Sequence, residues 1–391
     1  MGMVRARSCG RLVFAAVVLT ALAACDGGWA QFRADAERTG YNPRETALVA
    51  GNVSGLQVAW SVPIPGIVQP DGGGNVAVGS GKVFLAATDG TVRAYVAATG
   101  AVAWSAPAPG ATGVVVTGGR VLVSTNDRNV NALDAASGAR VWRRPTLGYP
   151  STPTVVGDRV YVVGSDSRLS TYDVATGAPV GTSFPVAASG DIAVSSVDGS
   201  IYLRTDRTVE SAAREVQAYD ADGTLRWSVS VPGPSGNPPP ALTPVLAQGR
   251  VYLGGRAYDQ LTGELVWASS TADWYSSPAY AEGTLYGLRT FGLGVTALDP
   301  ATGQTRWSAT GLGDAFPDFG DGPAVTPGVV WVNAGRRVRA LDAASGALLW
   351  SSDPAVVTAD AFMPVVAGGR VFSVSGTDVA PRSTLTAWRV P

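Results

Sequence analysis

The chain has 391 residues, a net charge of −1, no histidine and two cysteines, and 46% of its residues are apolar. The lack of histidine excludes His-based acid–base catalysis and His-ligated zinc, copper or non-haem iron sites. No basic run stands out, so we expect no nucleic-acid partner. Abundant glycine (49) and proline (26) among apolar residues favour many short strands joined by tight turns.

Residues 1–24 are predicted to be an export signal, because a basic start precedes an apolar run over 12–24. That run is shorter than the roughly 20 apolar residues of a transmembrane helix. The sequence Leu-Ala-Ala-Cys that ends at Cys25 resembles the bacterial lipobox, whose cysteine is lipidated after the leader is removed. The alternative is an ordinary signal peptide with a chance cysteine. With lipidation at Cys25, the protein would be an extracytoplasmic, membrane-anchored lipoprotein on the periplasmic or cell-surface side.

One phrase, Ala-x-Asp-x-x-Thr/Ser-Gly-x-x-x-Trp, recurs along the chain. Clear copies lie at 132–142, 257–267, 297–307 and 340–350, and degenerate copies at 94–104, 171–181 and 218–227. In the copy at 171–181, Gly181 replaces the tryptophan. A period of about 40 residues is typical of four-stranded β-propeller blades.

Each part of the repeat has a predicted structural role. Alternating β-branched and aromatic residues, as in 118–125 and 248–255, indicate a half-buried strand. The Asp and Gly of the phrase indicate a hairpin turn, since Asp accepts bonds from turn amides and Gly adopts a positive φ. We expect the tryptophan ring to pack between neighbouring blades. The repeated aspartates are therefore interpreted as structural rather than catalytic.

The two ends of the chain complement each other. The last repeat stops at 385–391 without its tryptophan strand, and 56–64 forms such a strand with no blade before it. Pairing them removes two exposed sheet edges. We therefore predict an all-β fold, an eight-bladed β-propeller of four-stranded antiparallel blades, closed by the N-terminal strand joining the last blade. The predicted parts are a signal peptide (1–24), a lipidated N-terminus and lead-in (25–55) and the propeller (56–391).

The repeated phrase and the opening segment 29–60 resemble the PQQ-binding-like propellers, a superfamily that includes quinoprotein alcohol dehydrogenases and the lipoprotein BamB. The resemblance implies either a PQQ-dependent dehydrogenase or a protein-binding scaffold in cell-envelope assembly. The dehydrogenases carry an adjacent cysteine pair beside PQQ and a calcium held by Glu, Asn and Asp side chains. This chain has no cysteine after Cys25 and lacks the long insertions of those enzymes.

The favoured hypothesis is therefore a protein-binding or scaffolding module with no catalytic residue, no cofactor and no metal, which binds proteins of the cell envelope and the membrane through a lipid anchor. A PQQ-dependent quinoprotein dehydrogenase is the alternative. The acidic loop 314–322 has the clustered carboxylates that calcium prefers, but we expect it to be a solvated loop.

The predicted binding surface consists of the loops that enter the innermost strand of each blade, because they break the repeat and contain aromatic and acidic residues. Its candidate partner-binding residues are Tyr149, Trp274, Tyr275, Phe316, Asp318, Phe319, Asp321 and Phe362. Two readings stay open. The side chains could form an exposed patch where a few residues dominate binding, or some of the rings could plug the central channel.

Overall fold

The computed structural model describes residues 28–66, 75–187, 192–205, 213–232, 242–269, 274, 276–289, 294–312, 322–334, 336–357, 363–376 and 382–391. These residues form eight separate four-stranded antiparallel sheets and one short 3-10 helix, Val53–Gly55. Within the described part of the chain, no helix has the length and apolar character needed to cross a membrane. The predicted all-β, eight-bladed propeller is confirmed.

Seven blades, numbered I to VII, each use four consecutive strands. Blades I to IV comprise β2 (Val76–Gly79), β3 (Lys82–Ala87), β4 (Thr91–Val96) and β5 (Val102–Pro107); β6 (Ala111–Thr117), β7 (Arg120–Thr125), β8 (Asn129–Asp134) and β9 (Arg140–Pro145); β10 (Thr154–Val156), β11 (Arg159–Gly164), β12 (Arg168–Asp173) and β13 (Phe184–Pro185); and β14 (Ile192–Val194), β15 (Ile201–Thr205), β16 (Ala213–Tyr219) and β17 (Leu225–Pro232). Blades V to VII comprise β18 (Val245–Ala247), β19 (Arg250–Leu253), β20 (Arg256–Asp259) and β21 (Leu265–Ala268); β22 (Ala279–Ala281), β23 (Thr284–Leu288), β24 (Val295–Leu298) and β25 (Thr305–Ala309); and β26 (Ala324–Thr326), β27 (Val329–Asn333), β28 (Val338–Asp342) and β29 (Leu348–Ser351).

Blade VIII is assembled from both ends of the chain. It contains β30 (Val365–Ala367), β31 (Arg370–Ser375), β32 (Arg382–Arg389) and, on the outside, β1 (Gln57–Pro65). Strand β1 pairs antiparallel with β32, with Trp60 opposite Ala387. The other blades pair the tryptophan with an alanine in the same way, as Trp104 with Ala94. The predicted closure of the ring by the N-terminal strand is therefore confirmed.

The strand order defines two faces of the disc. We call turn face the side that carries the tight turns between strands one and two and between strands three and four of each blade. We call loop face the opposite side, where the chain joins strands two and three and crosses from one blade to the next. The copies of the repeated phrase form the second set of turns on the turn face, as at Asp134–Gly138.

The repeated phrase joins each blade to the next. The indole N–H of Trp104 in blade I donates to the carbonyl of Ala135 in blade II at 3.1 Å. Its ring covers Gly138, where an added Cβ would lie 2.7 Å from ring atoms. Six seams of this kind join Trp60 to Gly100, Trp104 to Gly138, Trp142 to Gly177, Trp227 to Gly263, Trp267 to Gly303 and Trp307 to Gly346. The predicted packing of these rings between blades is confirmed.

The aspartates of the phrase stabilise their own turns. The Asp134 carboxylate accepts bonds from the amides of Ala136 (3.1 Å) and Ser137 (2.9 Å) and from the Ser137 hydroxyl (2.8 Å). Bonds to the ionised form lower the pKa of Asp134 below its usual value, the Ser137 hydroxyl contributing most. Asp173 and Asp299 make the same local bonds. Their repetition therefore reflects turn geometry, as the sequence predicts.

Blade III corrects one detail of the repeat. The sequence assigns the tryptophan position there to Gly181, which has a φ of +70° and open space around it. Phe184, three residues later, takes over the packing role. Its ring covers Gly223 of blade IV and lies 6.1 Å from the Tyr219 ring. The strand is short and shifted there, so the apolar contact persists although the spacing does not.

The lead-in forms a ring of its own, which we call the hub (residues 29–42). It contacts the first strand of every blade in chain order. The partners are Val78 for Trp29, Val116 for Ala30, Val155 for Gln31, Val194 for Ala36, Leu246 for Glu37, Tyr280 for Thr39, Val325 for Gly40 and Val366 for Asn42, at 2.8–3.0 Å. The hub lies at the end of these inner strands that leads to the turn face. It therefore ties all eight blades together at the centre of the disc.

Two buried arginines hold the hub in shape. Both Arg33 and Arg38 are fully buried and have a positive φ. Arg38 donates to the carbonyls of Ile192 (2.8 Å) and Phe32 (2.7 Å) and to the hydroxyl of Thr154, and its guanidinium lies 5.3 Å from the centre of the Phe32 ring. Arg33 donates to the carbonyls of Arg38 (3.1 Å) and Pro278. These bonds satisfy carbonyls that water cannot reach.

Candidate functional site

The described part of the predicted binding surface centres on the loop between blades II and III. Tyr149 is 50% exposed and its neighbour Leu147 is 76% exposed. The Arg128 guanidinium lies 5.2 Å from the centre of the Tyr149 ring, a cation–π distance. The Ser165 amide donates to the Tyr149 carbonyl (2.9 Å) and the Tyr149 amide donates to the Ser165 hydroxyl (3.0 Å), which fixes the loop to blade III. An apolar side chain and a braced aromatic ring are thus presented together on the loop face.

Trp274 is placed differently from the expectation of an exposed ring. It is 5% exposed and packs in the seam between blades V and VI with Tyr252, Trp267 and Leu285. The ring lies directly over Gly287, whose missing side chain makes the room. Of the two readings that the sequence leaves open, Trp274 does not fit the exposed patch, because its ring packs in the interior between two blades. The contact between Trp274 and Gly287, which lies on the neighbouring strand β23, could not be predicted without knowing how the strands pair.

Three buried hydrogen-bond donors at this end of blade VI have no partner in the part of the chain that the structure describes. Its backbone forms an isolated bridge with Arg289, which brings the two residues together at the loop-face end of blade VI. The Trp274 indole nitrogen, the Ser276 hydroxyl and Arg289 Nε are buried atoms with no hydrogen-bond partner in the described structure. Because an unpaired buried donor is costly, this cluster is suited to an acceptor group such as a carboxylate. The composition of the loops alone gave no sign of Arg289 or Leu147 as site residues.

The other predicted residues cannot be placed. Tyr275, Phe316, Asp318, Phe319, Asp321 and Phe362 lie outside the described residues, as do Cys25 and nearly all of the acidic loop 314–322. Whether these side chains join Tyr149 in one patch stays a prediction.

The turn face carries a cavity of about 710 Å³ at its centre. Its wall is formed by Gly28 and the hub on one side, and by the turns after β2 and β6 on the other. Asp35 lines it, with its carboxylate accepting bonds from the amide (2.9 Å) and hydroxyl of Thr39. Burial raises the pKa of Asp35 to about 6, although the bonds from Thr39 oppose the shift. The Asp35 carboxylate thus accepts its hydrogen bonds from within the hub.

No group of three His, Cys, Asp or Glu side chains that could hold a metal ion occurs among the residues the structure describes. Nearly all of the acidic loop 314–322, which we expect to be a solvated loop, lies outside those residues.

Comparison with known families matches almost the whole propeller. A family described as outer membrane protein assembly factor BamB matches in five overlapping stretches, residues 51–183, 88–255, 181–310, 255–351 and 293–388. The chain belongs to this family. It is therefore a PQQ-like β-propeller, as its repeats suggested.

Solved structures show the same fold at low sequence identity. A europium-containing methanol dehydrogenase aligns with a TM-score of 0.72 and 14% identity over 93% of this chain and 98% of its own. BamB from Moraxella catarrhalis aligns with a TM-score of 0.60 and 18% identity over 85% and 97%. A quinohemoprotein alcohol dehydrogenase from Pseudomonas putida HK5 aligns with a TM-score of 0.70 and 16% identity over 93% and 80%. Because both enzymes and an assembly factor have this fold, the fold alone does not determine the function.

One curated relative shares part of the chain. The serine/threonine-protein kinase AfsK of Streptomyces coelicolor is 32% identical over 115 residues. The match covers 28% of this chain and 14% of the kinase, so it concerns a small part of that protein.

The sequence does not fit PQQ as the quinoprotein resemblance would require, because the chain has no cysteine beyond Cys25 to form the adjacent pair. The described residues also contain no group of three carboxylates for the calcium that the resemblance implies.

Proposed function

We propose that this protein is a lipid-anchored propeller on the extracytoplasmic side of a membrane, where its loop face binds another cell-envelope protein as a scaffold or assembly factor. The family description, an assembly factor of the outer membrane, supports a role of this class. The lipobox-like sequence at Cys25 supports the anchor. No set of described residues favours the alternative, a PQQ-dependent dehydrogenase.

The observation that carries the proposal is the exposed pair Leu147 and Tyr149. Both residues stand on a loop that the repeat does not specify, and the Arg128 guanidinium braces the tyrosine ring. Aromatic anchors that are held rigid before binding lose little side-chain entropy in a complex, which is why few such residues dominate interfaces. A partner that covers this pair buries apolar area that is now in water.

The donor cluster at Trp274, Ser276 and Arg289 supports a specific chemistry for the partner. The indole nitrogen, the Ser276 hydroxyl and Arg289 Nε are buried, but Arg289 as a whole is only partly buried, so an acceptor can approach the rest of its guanidinium. We expect the partner to place a carboxylate there. Trp274 itself acts by packing, so Trp274→Ala is expected to destabilise the seam as well as binding.

Site-specific photo-cross-linking tests the binding surface. A benzoyl-phenylalanine placed at Leu147 in the full chain, expressed in its native host, should yield one discrete adduct that mass spectrometry identifies as an envelope protein. The matched control has the same probe at Leu225, which is also half-exposed but lies on the outer strand of blade IV. Tyr149→Ala should reduce the adduct severalfold without changing the melting temperature.

Two outcomes contradict the proposal. Cross-linking at Leu147 could give no adduct in intact cells, or the probes at Leu147 and Leu225 could give the same adducts at the same yield. Either result would show that the loop face has no specific protein partner.

A further inference from the structure

We propose that the turn face lies against the membrane surface, so that the propeller axis stands upright on the bilayer and the loop face points away from it. The inference rests on the proposed lipid anchor at Cys25. It assigns the turn face to a lipid surface and leaves the opposite face to a protein partner.

The chain enters the described fold near the centre of the turn face. Gly28 lines the cavity at the centre of the turn face. The next residue, Trp29, is buried, and its carbonyl accepts a bond from the amide of Val78 in blade I at 2.8 Å. The entry point is therefore fixed near the axis of the disc, since moving it would break the start of the hub.

The tether between the anchor and the described fold is short. Only Asp26 and Gly27 separate Cys25 from Gly28. Three steps between Cα atoms of 3.8 Å each span at most about 11 Å. A blade strand of six residues, such as β7, is about 20 Å long. A lipidated Cys25 therefore holds the turn face close to the bilayer, and the loop face is out of reach of it.

The turn face carries exposed apolar side chains. On the turn face, Val197 in the first turn of blade IV is 94% exposed and Leu261 in the outer turn of blade V is 67% exposed. Tyr202 connects these two neighbouring blades, because its hydroxyl lies 3.2 Å from the Gln260 carbonyl, which accepts its bond. Exposed apolar side chains on a face held near lipid can enter the headgroup region.

Charge does not drive this contact. The turn face also carries the aspartates of the repeated phrase, and hydrogen bonds lower the pKa values of Asp134 and Asp299, which keeps both ionised. These charges repel anionic headgroups over about a Debye length. The anchor therefore supplies the attachment, and the orientation follows from its position at the centre of the face.

A pair of single-cysteine variants tests the orientation. The only cysteines of the chain are Cys9, in the predicted leader, and Cys25, which lipidation would block, so one introduced thiol can be labelled selectively. Leu261→Cys marks the turn face and Leu147→Cys the loop face, and both positions are more than half exposed. The lipidated full-length protein, labelled with NBD, is reconstituted into phosphatidylethanolamine and phosphatidylglycerol vesicles that contain a headgroup-nitroxide lipid as quencher.

The label at position 261 should be quenched severalfold more strongly than the label at position 147. Equal quenching, or stronger quenching at 147, would overturn the proposed orientation. The mass of the mature N-terminus and vesicle flotation against a Cys25→Ser variant report the anchor separately. An unmodified Cys25 would overturn the anchor and the orientation together, whereas an anchored protein with the wrong quenching pattern would overturn the orientation alone.

Discussion

The turn face and the loop face of this propeller are specified in different ways. On the turn face, the repeated phrase places an aspartate-capped turn, a glycine and the tryptophan of the preceding blade at almost every seam, and the hub adds contacts to all eight blades. On the loop face, side chains such as Leu147 are exposed and the donors at Trp274 and Arg289 are unpaired. Stability is therefore concentrated near one face, and the other is free to vary with function.

We expect the largest loss of stability from a substitution in the hub. Arg38→Met keeps most of the side-chain volume but leaves the carbonyls of Ile192 and Phe32 without their donor. Because each buried acceptor left unsatisfied costs about 1–3 kcal/mol, the free energy of unfolding should fall by about 3–5 kcal/mol. Denaturant titration followed by circular dichroism measures it. The exposed Arg140→Met is the control and should change stability by less than about 0.5 kcal/mol.

If Arg38→Met unfolds at the same denaturant concentration as the parent, the hub is not a source of stability. The contrast between the two faces would then rest on the seams alone.

We expect a smaller loss of stability from a substitution at a single seam between two blades. Gly303 has a φ of +72°, and a Cβ there would lie 2.5 Å from the Trp267 ring of the preceding blade. Gly303→Ala should lower the free energy of unfolding by about 3 kcal/mol, from backbone strain and displacement of the ring. Gly249→Ala is a matched control, because its φ is +70° with open space around it, and it should cost about 1 kcal/mol.

Thermal or chemical denaturation of the two variants separates the packing of the seam from the strain of the turn. Equal losses of unfolding free energy at Gly303 and Gly249 would mean that the contact with the tryptophan ring does not contribute to stability. The glycine of the phrase would then be needed only for the turn.

The smallest effect concerns Asp35 in the hub. Burial raises its pKa from the usual 3.8 to about 6, so between those pH values the folded state binds a proton that the unfolded state lacks. This contribution to stability is complete below pH about 4 and is lost as the pH rises through about 6. Its size should be about 1–2 kcal/mol, because Asp35 as a residue is only half-buried and water screens part of the effect.

Asp35→Asn should flatten the dependence of the unfolding free energy on pH between about 4 and 6. The exposed Asp158→Asn should keep the slope of the parent. A slope that persists in Asp35→Asn would assign the pH dependence to other groups.

The sequence was sufficient for the architecture because the repeat encodes local geometry and local packing together. Asp134, Gly138 and Trp142 each have one role that recurs, so the blades, the seams and the closure at Trp60 could be predicted. Phe184 escaped prediction because its contact depends on a strand that pairs with a shifted register. Trp274 escaped because its burial depends on Gly287, a residue with no signal of its own.

The hub could not be predicted from the sequence for a related reason. Buried arginines such as Arg38 look like surface residues in a sequence, and only the carbonyls that converge from different blades explain them. Of the exposed pair, Tyr149 was predicted because its loop departs from the repeat, and Leu147 was not.

The order in which the hub meets the blades has a consequence for how the protein matures. Trp29 is made early and Val366, the partner of Asn42, near the end, and β1 cannot pair until β32 exists. Because the chain is made from its N-terminal side, Asn42 and β1 stay without their partners until blade VIII has been synthesised, whereas the rest of the hub can bond to each blade as it forms.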